Sequence, residues 1–101
     1  MTAKDIEGSI KKDPDAVLDY VINWTDWMAT DDTISTSDWE ITSDDEATPT
    51  LIEDSSTKVG LRTLIWLSGG TAGICYRVTN EIVTADGRTE NRSFEIRVRD
   101  R

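Results

Sequence analysis

The chain has 101 residues, a length that makes one domain around one core. It carries no His and a single Cys, which excludes a His-based triad, a His metal site, a CxxC redox pair and an internal disulfide. Its net charge of −9 argues against nucleic acid as a partner, and no apolar run is long enough for a transmembrane helix.

Residues 1–12 mix Lys, Asp, Glu, Gly and Ser with two isolated Ile, and have no apolar stretch of the kind a secretory signal needs. They read as a flexible N-terminal arm. Asp13-Pro14-Asp15 then opens a single domain over 13–101, because Pro fixes its own backbone and biases its predecessor to extended geometry. From there the period is two. Thr is abundant, with 14 residues, and Val, Ile, Trp and Tyr fill the apolar runs, which favours strands.

Seven strand segments follow. Ala16–Trp24 sets Leu18, Tyr20, Ile22 and Trp24 on one side. Thr33–Ser35 is short and follows the Asp31-Asp32 turn. Trp39–Thr42 places Trp39 and Ile41 on one face. Residues 44–49 form a loop, and Leu51–Asp54 is a brief strand that Ser55-Ser56 breaks. Leu61–Leu67 turns Leu61, Ile65 and Leu67 inward. Gly69-Gly70-Thr71-Ala72-Gly73 is a tight connection to the two longest strands, Ile74–Thr84 and Thr89–Arg99. Short strands at this spacing predict an all-β, antiparallel β-sandwich of about seven strands without a disulfide.

The last hairpin yields a register. A two-residue Asp86-Gly87 turn opposes Val78 to Glu95, core against solvent. A three-residue loop, Ala85-Asp86-Gly87, opposes Val78 to Phe94, Tyr76 to Ile96 and Ile74 to Val98. It puts Gly87 at the left-handed position of the bulge and sets Arg77 against Glu95, a favourable pair.

The charge is uneven. Residues 1–56 hold 15 acids and three Lys, a net −12, while residues 57–101 hold five acids, one Lys and seven Arg, a net +3. A dipolar surface can orient a protein against a neighbour of opposite sign, although solvation alone also accounts for it. Asp31-Asp32, Asp44-Asp45-Glu46 and Glu53-Asp54 lack the alternating acids and Gly of a calcium loop and read as turn acids. The Gly69–Gly73 stretch has neither the following helix nor the Lys of a phosphate loop. Cys75 has no His to serve as its base. No cofactor, metal ligand or catalytic residue is expected.

The Trp residues are more informative. Trp24 and Trp39 have inward parity and belong to the core. Trp66 has outward parity, with Arg62 and Leu64 on its face. Trp27 lies past the end of its strand, beside Met28. Exposed Trp and Met near Arg suit a protein interface, so Trp27, Met28, Leu64, Trp66 and Arg62 are the partner-interface candidates. The alternative for Trp27 is to cap the open end of the sandwich, and for Trp66 to lie under a loop.

The stretches 12–20 (KDPDAVLDY), 23–28 (NWTDWM), Asp32-Thr33-Ile34 with Trp39, 66–73 (WLSGGTAG), 76–80 (YRVTN) and 86–89 (DGRT) together resemble a family of small tailed-phage structural proteins known as fibre–tail adaptors. The resemblance implies an immunoglobulin-like sandwich and a place in the virion, and supplies no catalytic residues. It agrees with Gly73-x-x-Tyr76-x-Val78, which looks like the penultimate strand of an immunoglobulin-type domain, where a Tyr anchors a corner through its hydroxyl. The expectation is a non-enzymatic bacteriophage virion protein, assembled in the bacterial host cytoplasm, that joins tail to fibre by protein–protein contact. Its partners would be other phage structural proteins and copies of itself, with no nucleic acid and no membrane. The alternative is a capsid-decoration or glycan-binding module.

Overall fold

A computed structural model describes residues 9–99. The strands are β1 (Ser9–Lys12), β2 (Leu18–Asn23), β3 (Ile34–Thr42), β4 (Leu51–Val59), β5 (Arg62–Gly69), β6 (Cys75–Thr84) and β7 (Thr89–Val98). They form a four-stranded sheet in the order β1-β7-β6-β3 and a three-stranded sheet in the order β2-β5-β4. The described residues contain no helix, and Cys75 is free. The expected all-β, disulfide-free sandwich of about seven strands is what the chain builds.

The inventory of strands differs from the sequence reading in three places. Ser9–Lys12, expected as the end of a flexible arm, is a strand that pairs in parallel with β7, so the sandwich is not wholly antiparallel. Residues 1–8 of that arm, and residues 100–101 of the domain, lie outside the described residues. The short segments Thr33–Ser35 and Trp39–Thr42 are one strand, β3, whose register shifts between Ile34 and Thr36. Ser55-Ser56 does not end β4: a register shift between Glu53 and Ser55 absorbs the irregularity and the strand runs on to Val59. In each case polar residues in an edge strand hide the pairing, because no buried face imposes alternation on them.

The last hairpin has the expected register, with Val78 opposite Phe94, Tyr76 opposite Ile96 and Arg77 opposite Glu95. Its loop is Ala85-Asp86-Gly87, closed by Thr84 N–H to Arg88 O at 2.8 Å and Gly87 N–H to Thr84 O at 2.9 Å. Gly87 has φ +90°, the left-handed position the loop demands.

The core lies between the sheets. Tyr20, Ile22 and Trp24 meet Ile65, Leu67 and Leu51 from one sheet, and Tyr76, Val78, Ile82, Phe94, Ile96 and Val98 from the other. Trp24 is fully buried, whereas Trp39 is half-buried against the core. Leu18 shares the inward parity of Tyr20 yet remains 42% exposed. A polar knot sits inside the core. Trp24 Nε1 donates to Asn80 Oδ1 and Thr63 Oγ1, both at 3.2 Å, and Thr63 Oγ1 donates to Asn80 Oδ1 at 2.7 Å. Asn80 Nδ2 donates to Ser37 Oγ and Asp38 O, both at 3.0 Å, so the knot joins β5, β6 and β3.

Candidate functional site

The outer face of the three-stranded sheet is built by parity. Ile65 and Leu67 turn inward, so Arg62, Leu64, Trp66 and Ser68 of β5 turn outward. Register places Val21 and Thr57 on either side of Leu64, Asp19 and Ser55 beside Trp66, Val59 beside Arg62 and Ile52 beside Ser68. Val17 immediately precedes β2. Val59 is 62% exposed, Val17 55%, Ile52 51% and Trp66 41%. Three of the five exposed large apolar residues described, Trp66, Ile52 and Val59, therefore share one face, and the other two, Val17 and Leu18, lie at the start of β2. Scattered exposed apolar residues are ordinary; a shared face of them with Trp at its middle strand is the composition of a protein interface.

Three of the five interface candidates, Arg62, Leu64 and Trp66, are brought together here. Arg62 is exposed and Leu64 half-buried. Trp27 and Met28 are placed elsewhere, in the turn after β2, closed by Trp27 N–H and Met28 N–H to Trp24 O at 3.1 and 3.0 Å. Both are half-buried against the core, and Trp27 meets Trp24 edge-on with ring centroids 5.7 Å apart. This is the capping geometry weighed as the alternative for Trp27. Val21, Ile52 and Val59 were missed as members of the face. Once the pairing is known their parity identifies them, but the pairing of β4 was not legible.

The outer face of the four-stranded sheet is charged. Lys11, Arg77 and Arg97 cluster towards one corner, and Asp38, Glu40 and Glu81 towards another. Part of the Arg-rich hairpin is spent internally. Arg77 approaches Glu95 at 3.7 Å, and the Arg92 guanidinium lies 4.8 Å from the Trp24 ring centroid. Among the described residues no group of His, Cys, Asp or Glu is arranged to hold a metal ion. Cys75 is half-buried, and its carbonyl accepts the Ser43 hydroxyl at 2.9 Å.

Two further devices hold the frame of these faces. The Tyr76 hydroxyl accepts the Thr71 N–H at 2.9 Å and donates to Glu46 Oε1 at 2.6 Å, the corner role expected of Tyr76. Glu46 also accepts from Thr50 N–H at 3.0 Å and from the Thr71 hydroxyl at 2.8 Å. The bond from Tyr76, then those from Thr50 and Thr71, hold the Glu46 carboxyl down to about 2 against a smaller opposing effect of burial. Lys12, only 2% exposed, reaches from β1 to donate to Gly69 O at 2.8 Å and Asp13 O at 2.9 Å. Burial lowers its ammonium pKa, offset in part by Asp13, Asp15 and Asp54.

The family model of the Podophage GP4 fiber-tail adaptor protein gp77 matches residues 12–97. No curated protein matches the chain.

Proposed function

The chain belongs to the podophage fiber-tail adaptor family, and we propose that it fills its structural role in the virion by docking a tail or fibre protein on the outer face of the β2-β5-β4 sheet. The clustering of Trp66, Ile52 and Val59 on that face carries this reading. Trp66 supplies the central anchor, Leu64 and Val21 the apolar bed, and Arg62 with Asp19 a charged margin that fixes orientation. The protein acts by contact, without catalysis. It binds neither nucleic acid nor membrane, and it is built into particles in the host cytoplasm alongside further copies of itself. Strand β1 and the Trp27–Met28 turn serve the fold rather than this contact.

The test is complementation of a phage lacking this gene with Trp66→Ala. Trp66 is far enough exposed that the variant keeps its fold, and a central aromatic removed from an interface costs about 2 kcal/mol or more of affinity. Purified particles are expected to lose adaptor and fibre together. Particles with normal fibre occupancy would refute the docking face.

A further inference from the structure

Among the described residues the three-stranded sheet has one strand fewer than its partner, and the open place lies beside β2. Tyr20 of β2 sits 5.7 Å from Phe94 of β7, and the Trp24 ring just past β2 lies under Arg92 of β7. Thr63 of β5 bonds Asn80 of β6 at 2.7 Å. Thus β2 lies beneath β7 and β5 beneath β6, while β1 has no strand beneath it among the described residues. Leu18, inward by parity but open to solvent, and half-buried Ile10 of β1 flank this place. The same strand carries the Tyr20 hydroxyl, which is buried without a hydrogen-bond partner.

The free edge of β2 is a ready template. Trp24 N–H donates to Leu61 O at 2.9 Å, which fixes the phase of the antiparallel ladder. Even-numbered residues of β2 bond β5, so the N–H and C=O groups of Asp19 and Val21 point away from the sheet. Two of the other edges are guarded. β3 and β4 both carry register shifts, and β4 turns Lys58 and Glu53 to the inward side. By contrast β2 pairs through six unbroken positions and has no Lys, Arg or Pro. Proteins blunt edges they must keep free, and this one is left sharp.

Charge selects the occupant. Asp15, Asp19 and Asp26 are exposed along or beside this edge, and none takes part in an ion pair among the described residues. The side chains of residues 1–8 bring one Lys against Asp5 and Glu7, and a second copy of β2 brings another Asp19, so neither supplies the excess of positive charge that these carboxylates call for. Resting on the adaptor reading above, we propose that an extended, Lys- or Arg-bearing segment of a tail or fibre protein adds to the free edge of β2 as a fourth strand. Its inward side chains are apolar, covering Leu18 and Ile10, and its basic residues meet the flanking carboxylates.

Amide hydrogen exchange at Asp19 and Val21, compared between the isolated chain and purified particles, is the direct test. Strand addition slows both amides by about 100-fold or more in particles; rates equal within about twofold overturn the proposal. Val21→Pro removes an N–H that serves no bond among the described residues and blocks the edge, so its incorporation falls about tenfold or more. Val21→Ala trims the same side chain but keeps the N–H, so Val21→Pro is expected to be incorporated about tenfold less well than Val21→Ala, and equal incorporation of the two overturns the proposal. If Val21→Pro enters particles normally while Trp66→Ala does not, the edge proposal fails and the docking face stands; if both enter normally, both fail. Protection already present in the isolated chain, and lost when residues 1–8 are removed, identifies the chain's own segment as the occupant and overturns the proposal. Should Val21→Pro not fold, the exchange measurement on the unaltered protein decides alone.

Discussion

The Tyr76 hydroxyl and the Glu46 carboxylate meet at 2.6 Å, across 30 residues of sequence, and join the loop before β4 to the start of β6. The relationship has a pH signature. Glu46 titrates near 2 in the folded chain and in the ordinary carboxylate range, about 4.3, when unfolded. Its folded pKa is depressed, so its contribution to stability is complete above the unfolded value and is lost as pH falls towards 2. Urea midpoints measured between pH 5 and 2 are expected to fall across that window. In Glu46→Gln the midpoint is lower at neutral pH and falls less steeply with acid. An unchanged slope would assign the acid sensitivity to other carboxylates.

The Asn80 side chain is fully buried and makes four hydrogen bonds in the core. Asn80→Ala leaves the Ser37 hydroxyl and the Asp38 carbonyl short of a donor and Trp24 Nε1 with Thr63 alone. The expected loss is about 3 kcal/mol in denaturant unfolding followed by Trp fluorescence. A loss under about 1 kcal/mol would mean that water replaces the amide.

Lys12→Ala removes the ammonium that ties β1 to the end of β5. It is expected to cost about 2 kcal/mol and to speed amide exchange along β1 more than along β6. Lys12→Met keeps the apolar stem and recovers part of the loss. Equal acceleration in both strands would show that Lys12 supports the whole fold rather than the docking of β1.

Gly69 and Gly73 both have positive φ, at +76° and +91°, so Ala is strained at either. Their surroundings differ. A Cβ on Gly69 meets the Thr50 carbonyl oxygen at 2.6 Å, while one on Gly73 meets nothing within 4 Å. Gly73→Ala is expected to cost about 1 kcal/mol and Gly69→Ala about 3 kcal/mol, read from melting curves. Equal costs would mean that the loop before β4 yields freely.

Where the sequence was legible, one buried face imposed a rule. Val78, Phe94, Tyr76 and Ile96 alternate without interruption, so only one register keeps them together, and the structure has it. Trp66 was legible as outward for the same reason, by its parity against Ile65 and Leu67. Lys12 was not, because a Lys in a polar stretch looks solvated until a distant carbonyl, Gly69 O, supplies its partner. The same holds for β4, whose residues after Leu51 are all exposed and so carry no pattern to read. Hence Ile52 and Val59 entered the docking face only once their neighbours on β5 were known. Trp27 shows a third case: nothing local foretold its edge-on packing against Trp24, which depends on how the turn after β2 folds back.

The pairing of Ser9 with Glu95 has a consequence for biosynthesis. β1 is the earliest described strand to leave the ribosome, and β7, the strand it needs, is the last. Until β7 has emerged, Ile10 and Lys12 have no ladder to join, and closing that ladder spans nearly the whole described chain, which penalises early docking. Each newly made copy therefore passes through a stage in which β2 through β5 have been translated while the first strand still waits. The emergence of β7, rather than any local propensity, sets the moment at which β1 can dock.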